Sequence, residues 1–259
     1  MKVSLMKKVV SASLMSILVP CSAFATIYID HFTDPYGGQA ITQVAVGTSA
    51  SFVSGLGSST LGGSRYVAVT KTAGSGGSHA VDINNSAYPS LMADSLEAGA
   101  AGYTKLIWDG NGNGIIDYSM LPVDLSEGGL NSFIDIRIIG NDLPGRVTLN
   151  VGDGSIDRNF SFTLPDYSTI STFPTNVLIP FSEWTGVDFS QIRGGGMTLD
   201  LISSEDLRLD YISATSAAPV PEPSTLLLLG AGIAGVVALK RRSKKDVPLV
   251  SVSGTSMSL

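Results

Sequence analysis

The sequence predicts an all-β fold, an antiparallel β-sandwich or jelly roll, followed by a single C-terminal transmembrane helix. Three observations predict it. Apolar and polar residues alternate with a period of two through residues 26–217, with no convincing stripe at helical spacing. Clusters of glycine, asparagine and aspartate separate the alternating runs, and these residues supply the backbone conformations that tight turns need. Beyond the body, a proline-rich break precedes an uncharged apolar run that ends in a cluster of bases. Many short strands with such turns build two packed sheets, each burying one face and wetting the other.

The elements follow in order. Residues 27–32, 41–46, 65–70 and 80–83 read as strands, separated by turns at Gly55-Leu56-Gly57, Gly62-Gly63 and residues 74–77. Residues 103–108 form the next strand. Over residues 133–139, Ile134, Ile136 and Ile138 share one face, with Asp135 and Arg137 on the other. Residues 146–151 and 159–164 alternate cleanly, and Gly152-Asp153-Gly154-Ser155 between them is a hairpin signal. Residues 177–181 follow. Met197, Leu199 and Leu201 then oppose Thr198 and Asp200, and Leu207, Leu209 and Tyr211 oppose Arg208 and Asp210. Gly194-Gly195-Gly196 reads as a turn. It is no phosphate loop, because neither Lys-Ser/Thr nor a helix follows it.

Charge divides the 259 residues into three parts. The formal net charge of -6 combines a basic start (Lys2, Lys7, Lys8), a basic end (Lys240, Arg241, Arg242, Lys244, Lys245) and an acidic body. Only Arg65, Lys71, Lys105, Arg137, Arg146, Arg158, Arg193 and Arg208 are basic between Thr26 and Ala218, where all the acids but Glu222 and Asp246 lie. Such a body is repelled by phosphate backbones, so nucleic acid is excluded as its main partner. Lys7-Lys8, an apolar run from Val9 to Val19 and Ala23-Phe24-Ala25 make residues 1–25 a secretory signal peptide, cut after Ala25. Cys21, the single cysteine, is removed with it. The mature chain then has no disulfide and no thiol chemistry.

At the other end, residues 218–224 form a proline-rich linker containing Pro221-Glu222-Pro223, and residues 225–239 carry no charge. A helix over residues 224–239 spans about 24 Å, short of the roughly 30 Å hydrocarbon core, a gap that snorkelling of Lys240 and Arg241 covers. Lys240, Arg241 and Arg242 stop the anchor on the cytoplasmic side, and residues 240–259 form a basic cluster and cytoplasmic tail. Pro-Glu-Pro, an apolar helix and Arg/Lys in this order resemble the PEP-CTERM sorting signal of exported proteins of Gram-negative bacteria. The resemblance implies export by the Sec machinery and an inner-membrane-anchored precursor. It further implies processing by an exosortase and delivery to the cell surface or extracellular matrix. The tail from Asp246 to Leu259 departs from that pattern, in which the chain ends at the basic cluster.

The body is similar to the ectodomain seen in many proteins with this signal. The carriers are Ile29-Asp30-His31-Phe32, Leu61-Gly62-Gly63-Ser64-Arg65, Leu106-Ile107-Trp108-Asp109-Gly110 and residues 206–212. The last stretch, with Phe181-Ser182-Glu183-Trp184, also resembles the closing strands of jelly-roll carbohydrate-binding modules. This implies one jelly-roll domain and glycan binding. Trp108 and Trp184 are candidate stacking platforms, set against the usual fate of tryptophan in a core.

Asp109, Asn111, Asn113 and Asp117 fit the spacing of a calcium loop, with Gly114 at the sharp turn, but Met120 stands where the bidentate glutamate belongs. The competing reading is a glycine- and asparagine-rich turn, so calcium is a candidate cofactor only. His31 and His79 are the only histidines, and no nucleophile motif occurs. No pair of acids stands out for hydrolysis. The sequence therefore describes a non-enzymatic envelope or matrix protein, structural or exopolysaccharide-binding. The alternatives are a surface glycoside hydrolase or lyase, and a plain membrane-anchored protein.

Overall fold

The computed structural model describes residues 26–35, 38–166, 174–203 and 205–216. The expected signal peptide, linker, membrane helix and tail therefore lie outside the described residues. Thirteen strands run as β1 (Ile27–Asp30), β2 (Gln39–Gln43), β3 (Gly47–Ser54), β4 (Ser64–Ala73), β5 (His79–Ile83), β6 (Met92–Leu96), β7 (Ala101–Trp108), β8 (Phe133–Asn141), β9 (Arg146–Gly152), β10 (Asp157–Thr163), β11 (Thr175–Pro180), β12 (Gly194–Leu201) and β13 (Asp206–Thr215). Three single turns of 3-10 helix are the only helical pieces among the described residues.

The strands form two antiparallel sheets. The larger has the order β11-β8-β13-β6-β5-β2, with β1 paired to the far half of β13. The smaller has the order β10-β9-β12-β7-β4-β3. Between them, Ile134, Ile136 and Ile138 of β8 and Leu207, Leu209 and Ile212 of β13 face Val67, Val69, Leu106, Val147, Leu149, Met197 and Leu199, all buried. Burying each such side chain contributes about 1.5–3 kcal/mol. The two-residue alternation thus produces the sandwich that the sequence predicts, and the 152–155 hairpin closes with Gly152 opposite Asp157.

Three expectations are corrected. β3 and β6 are strands that the alternation does not reveal. β3 is an edge strand whose inward positions include Ser49 and Ser51, and β6 places Asp94 inward between Met92 and Leu96. Residues 194–196 open β12, paired to β9 and β7, and are no turn. Their small size makes room for a strap, residues 109–121, that crosses the outer face of the smaller sheet. A Cβ on Gly196 would fall 2.9 Å from Ile116 Cδ1, and one on Gly194 would fall 3.2 Å from Tyr118 Cδ1. Finally, Trp108 and Trp184 are each only 1% exposed, so neither presents a stacking face. Trp108 Nε1 donates to Asp30 Oδ2 at 2.8 Å, and Trp184 packs on Phe160 and Phe189.

Three of the stretches that carry the family likeness meet at one buried ion pair. Arg65 Nη1 reaches Asp30 Oδ1 at 2.7 Å, both side chains fully buried. Arg65 also donates to Gln39 Oε1 and to the Asp34 carbonyl, and its guanidinium lies 5.6 Å from the Phe32 ring centroid. The motif residues Asp30, Phe32, Arg65 and Trp108 are therefore joints of the sandwich.

Candidate functional site

The calcium-spaced residues come together, but they bond within their own loop. Asp109 Oδ1 and Oδ2 accept from the backbone N–H groups of Asn111 and Asp117, each at 2.8 Å, and Asn113 Oδ1 accepts from Ile115 N at 2.8 Å. Asn111 Nδ2 donates to Asp117 Oδ2 at 3.4 Å. These bonds start the strap and hold its first turn. Among the described residues, no group of three or more His, Cys, Asp or Glu has the arrangement to hold a metal ion. The two histidines stand in different surroundings. His79 is buried against Asp94 Oδ1 (2.9 Å) and Thr104 Oγ1 (3.1 Å), whereas His31 is half-buried beside Tyr28 and Tyr211.

The feature that sequence reasoning missed lies on the outer face of the larger sheet. Strand pairing sets its rows. Arg208 on β13 stands beside Gly140 on β8 and Ala93 on β6, and Ala93 stands beside Asp82 on β5. The next row holds Asp206, Ser95 and Ala80. Glycine, alanine and serine at outward positions, where a solvated sheet carries longer polar side chains, leave the floor low. Taller groups rise around it. The Arg208 guanidinium stacks 5.3 Å from the Tyr88 ring centroid. One hollow of about 180 Å³ is lined by Ile139, Gly140, Asn141, Asp142, Asp206 and Arg208. A second, beyond Arg208, is lined by residues that include Asp82, Tyr88, Ala93 and Ser95.

Three residues further along β13, about 10 Å at the strand rise, the same face becomes aromatic, because a bulge between Leu209 and Tyr211 turns Tyr211 outward, against the alternation that set it with Leu207 and Leu209. Tyr28 lies 4.3 Å from His31 and 5.8 Å from Tyr211, measured between ring centroids. Tyr211 donates to Asp135 Oδ2 at 3.2 Å, and Asn176 Nδ2 donates to both Asp135 oxygens at 2.8 Å. Burial, and then the Asp135 charge, push the Tyr211 phenol above its ordinary pKa, so it stays a neutral donor. Arg137 Nε pairs with Asp210 at 3.1 Å. The stacked arginine with its two hollows, the aromatic group further along β13 and the hydrogen-bonding groups of this face are together called the trough. The outward positions of Arg208 and Asp210 were legible from alternation. The approach of Tyr88 from the loop between β5 and β6 was not.

Together, the sandwich and the C-terminal sequence define a β-sandwich protein with a C-terminal sorting motif. The motif is matched directly: residues 219–242 fit the PEP-CTERM protein-sorting motif. It implies an exported, membrane-anchored precursor handled by an exosortase. No curated protein matches the chain. Among solved structures, the chain is similar to the family 11 carbohydrate-binding module from Clostridium thermocellum in complex with a β-1,3-1,4-mixed-linked tetrasaccharide. Identity is 13%, covering 76% of this chain and 98% of that one, with a TM-score of 0.37. It is also similar to the family 11 module of the cellulosomal cellulase Lic26A-Cel5E of the same organism (14% identity, 76% and 97% covered, TM-score 0.34). A third similarity is to the enzymatically active domain of bacteriophage CBA120 tailspike protein 4 (8% identity, 72% and 21% covered, TM-score 0.32).

Proposed function

We propose that this is a non-enzymatic envelope or matrix protein whose sandwich binds an extended exopolysaccharide in the trough on the larger sheet. The observation that carries the reading is the low floor flanked by the Arg208–Tyr88 stack and its two hollows. Sugar rings present apolar faces to aromatic side chains and hydroxyls to forked donors and carboxylates. The aromatic group at Tyr211, about 10 Å away along β13, makes the trough long enough for more than one linked ring. The sorting motif supplies the destination.

Polysaccharide cleavage is supported less well. It needs a protonated carboxyl next to an ionised one, both touching the sugar. Among the described residues, the carboxyl whose pKa is pushed up is Glu205, and it is fully buried. The test is a glycan-binding screen of the full chain beside its Tyr88→Ala and Tyr211→Ala variants. The reading expects a glycan that is held by the wild type and released at least about tenfold more readily by both variants, the loss of roughly 1.4 kcal/mol. Binding that both substitutions leave untouched would place the glycan elsewhere. A reducing end generated during incubation would favour the enzyme.

A further inference from the structure

On the reading that the trough binds a glycan, we infer that its preferred ligand is an amine-bearing polysaccharide, one whose sugar rings carry free, protonated amino groups. Three carboxylates, Asp82, Asp142 and Asp206, line the two hollows around the single guanidinium of Arg208. Asp82 is half-buried and has neither a hydrogen-bond nor an ionic partner among the described residues. Asp142 spends one oxygen on the Asp206 amide, and Asp206 spends one on the Ser95 hydroxyl. Arg208 is turned onto the Tyr88 ring and makes no ion pair among the described residues. Acceptor capacity in the hollows thus exceeds donor capacity.

The other bases among the described residues do not correct this imbalance. Arg65 is locked to Asp30, and Lys71 Nζ is buried on the carbonyls of Val44, Gly76 and Gly77. Lys105 is held by Gly114 O and Arg193 by Met120 O, both at the strap on the other sheet. Arg146 and Arg158 belong to β9 and β10 of that sheet. Further along the trough, Arg137 is matched by Asp210, and Asp135 is capped by Asn176 and Tyr211. An ammonium group adds three donors and a positive charge to hollows where three carboxylates stand against one guanidinium, while a uronate would add a carboxylate to three.

The test compares three oligomers of equal length: glucosamine, its neutral N-acetyl form and a uronate. Each is titrated against the full chain at low and high salt. The expected result is glucosamine binding about tenfold tighter than the N-acetyl form at low salt, with the margin shrinking as salt rises. An Asp82→Asn/Asp206→Asn variant should bring the two within about twofold. Asp157→Asn/Asp200→Asn, on exposed positions of the smaller sheet, should leave the margin intact. Equal affinities, a tighter uronate, or a margin lost equally in the Asp157/Asp200 variant would overturn the inference. If a neutral oligomer is bound and then lost on Tyr88→Ala, glycan binding stands even where the amine preference fails. If no oligomer binds, both readings fall.

Discussion

Two oxygens of Asp30 bind three groups: Oδ1 takes Arg65 and the Phe32 amide, and Oδ2 takes the Trp108 indole. Removing the carboxylate leaves the buried Arg65 guanidinium without its counter-charge and the buried Trp108 indole N–H without its acceptor. Breaking a buried pair from one side costs about 3–5 kcal/mol, far more than replacing both members with apolar groups. Asp30→Ala should therefore lower the urea midpoint steeply, and Asp30→Leu/Arg65→Met should recover part of the loss. A double variant no better than the single would mean that Arg65 is not stranded by the first change. Glu205 provides a pH-dependent counterpart. Burial pushes its carboxyl from 4.5 up to about 7, the charges of Asp94, Asp142 and Asp166 add to the rise, and the Ile202 amide opposes it. The folded state therefore holds this proton more tightly than the unfolded chain. Stability from the group is intact below about pH 4.5, falls as pH rises, and levels off above about pH 7. Glu205→Gln should melt higher than wild type at pH 8 and lose that advantage at pH 4. An equal difference at both pH values would show that the carboxyl titrates normally.

At the scale of elements, the strap decides what the outer face of the smaller sheet can be. It lays Ile116 and Tyr118 over positions where β12 and β9 carry only glycine, and it shields Ile107, which points outward yet is 1% exposed. Gly196→Val would push into Ile116 and the Leu106 carbonyl and should cost about 1–3 kcal/mol by overpacking. Thr198→Val, two residues on and outside the strap, should cost much less. Similar losses for the two would mean that the strap lifts freely. The bonds that start the strap bear on calcium as well: each Asp109 oxygen already spends one lone pair on a backbone amide, and the loop closes on these bonds without a cation. Melting temperatures should accordingly coincide in calcium and in chelator, and a shift of several degrees would restore the metal reading. The same element shows where the sequence stops being legible. Period two was enough for β8 and β9, because each has a dry face and a wet one, and for β13 only as far as Leu209, where a bulge breaks it. It failed for β3, which is only half covered, for β6, whose inward Asp94 answers His79 from another strand, and for residues 194–196, whose glycines answer a strap eighty residues earlier. In each case the missing information is a tertiary partner.

At the scale of the molecule, the sandwich and the sorting motif are separable in a way that can be tested. The last strand completes its pairing at Thr215 opposite Phe133, and the Thr215 carbonyl accepts from Ser132 N at 3.0 Å. The matched motif begins at residue 219, beyond that last bond. The motif could be read from its local order alone, Pro-Glu-Pro, apolar run and bases, because a membrane-embedded reader needs only the linear chain. The trough could not, because its floor and walls come from four strands and a loop. Replacing Pro221, Glu222 and Pro223 together with alanine should leave the melting temperature and glycan affinity of the chain unchanged. Its size and its distribution between membrane and medium should shift in the producing cell, as unprocessed precursor accumulates in the membrane fraction. Fractionation and a mass measurement on both proteins decide it. Identical size and identical distribution would mean that the motif is not processed, and the exported sandwich would then act as a protein tethered to the inner membrane.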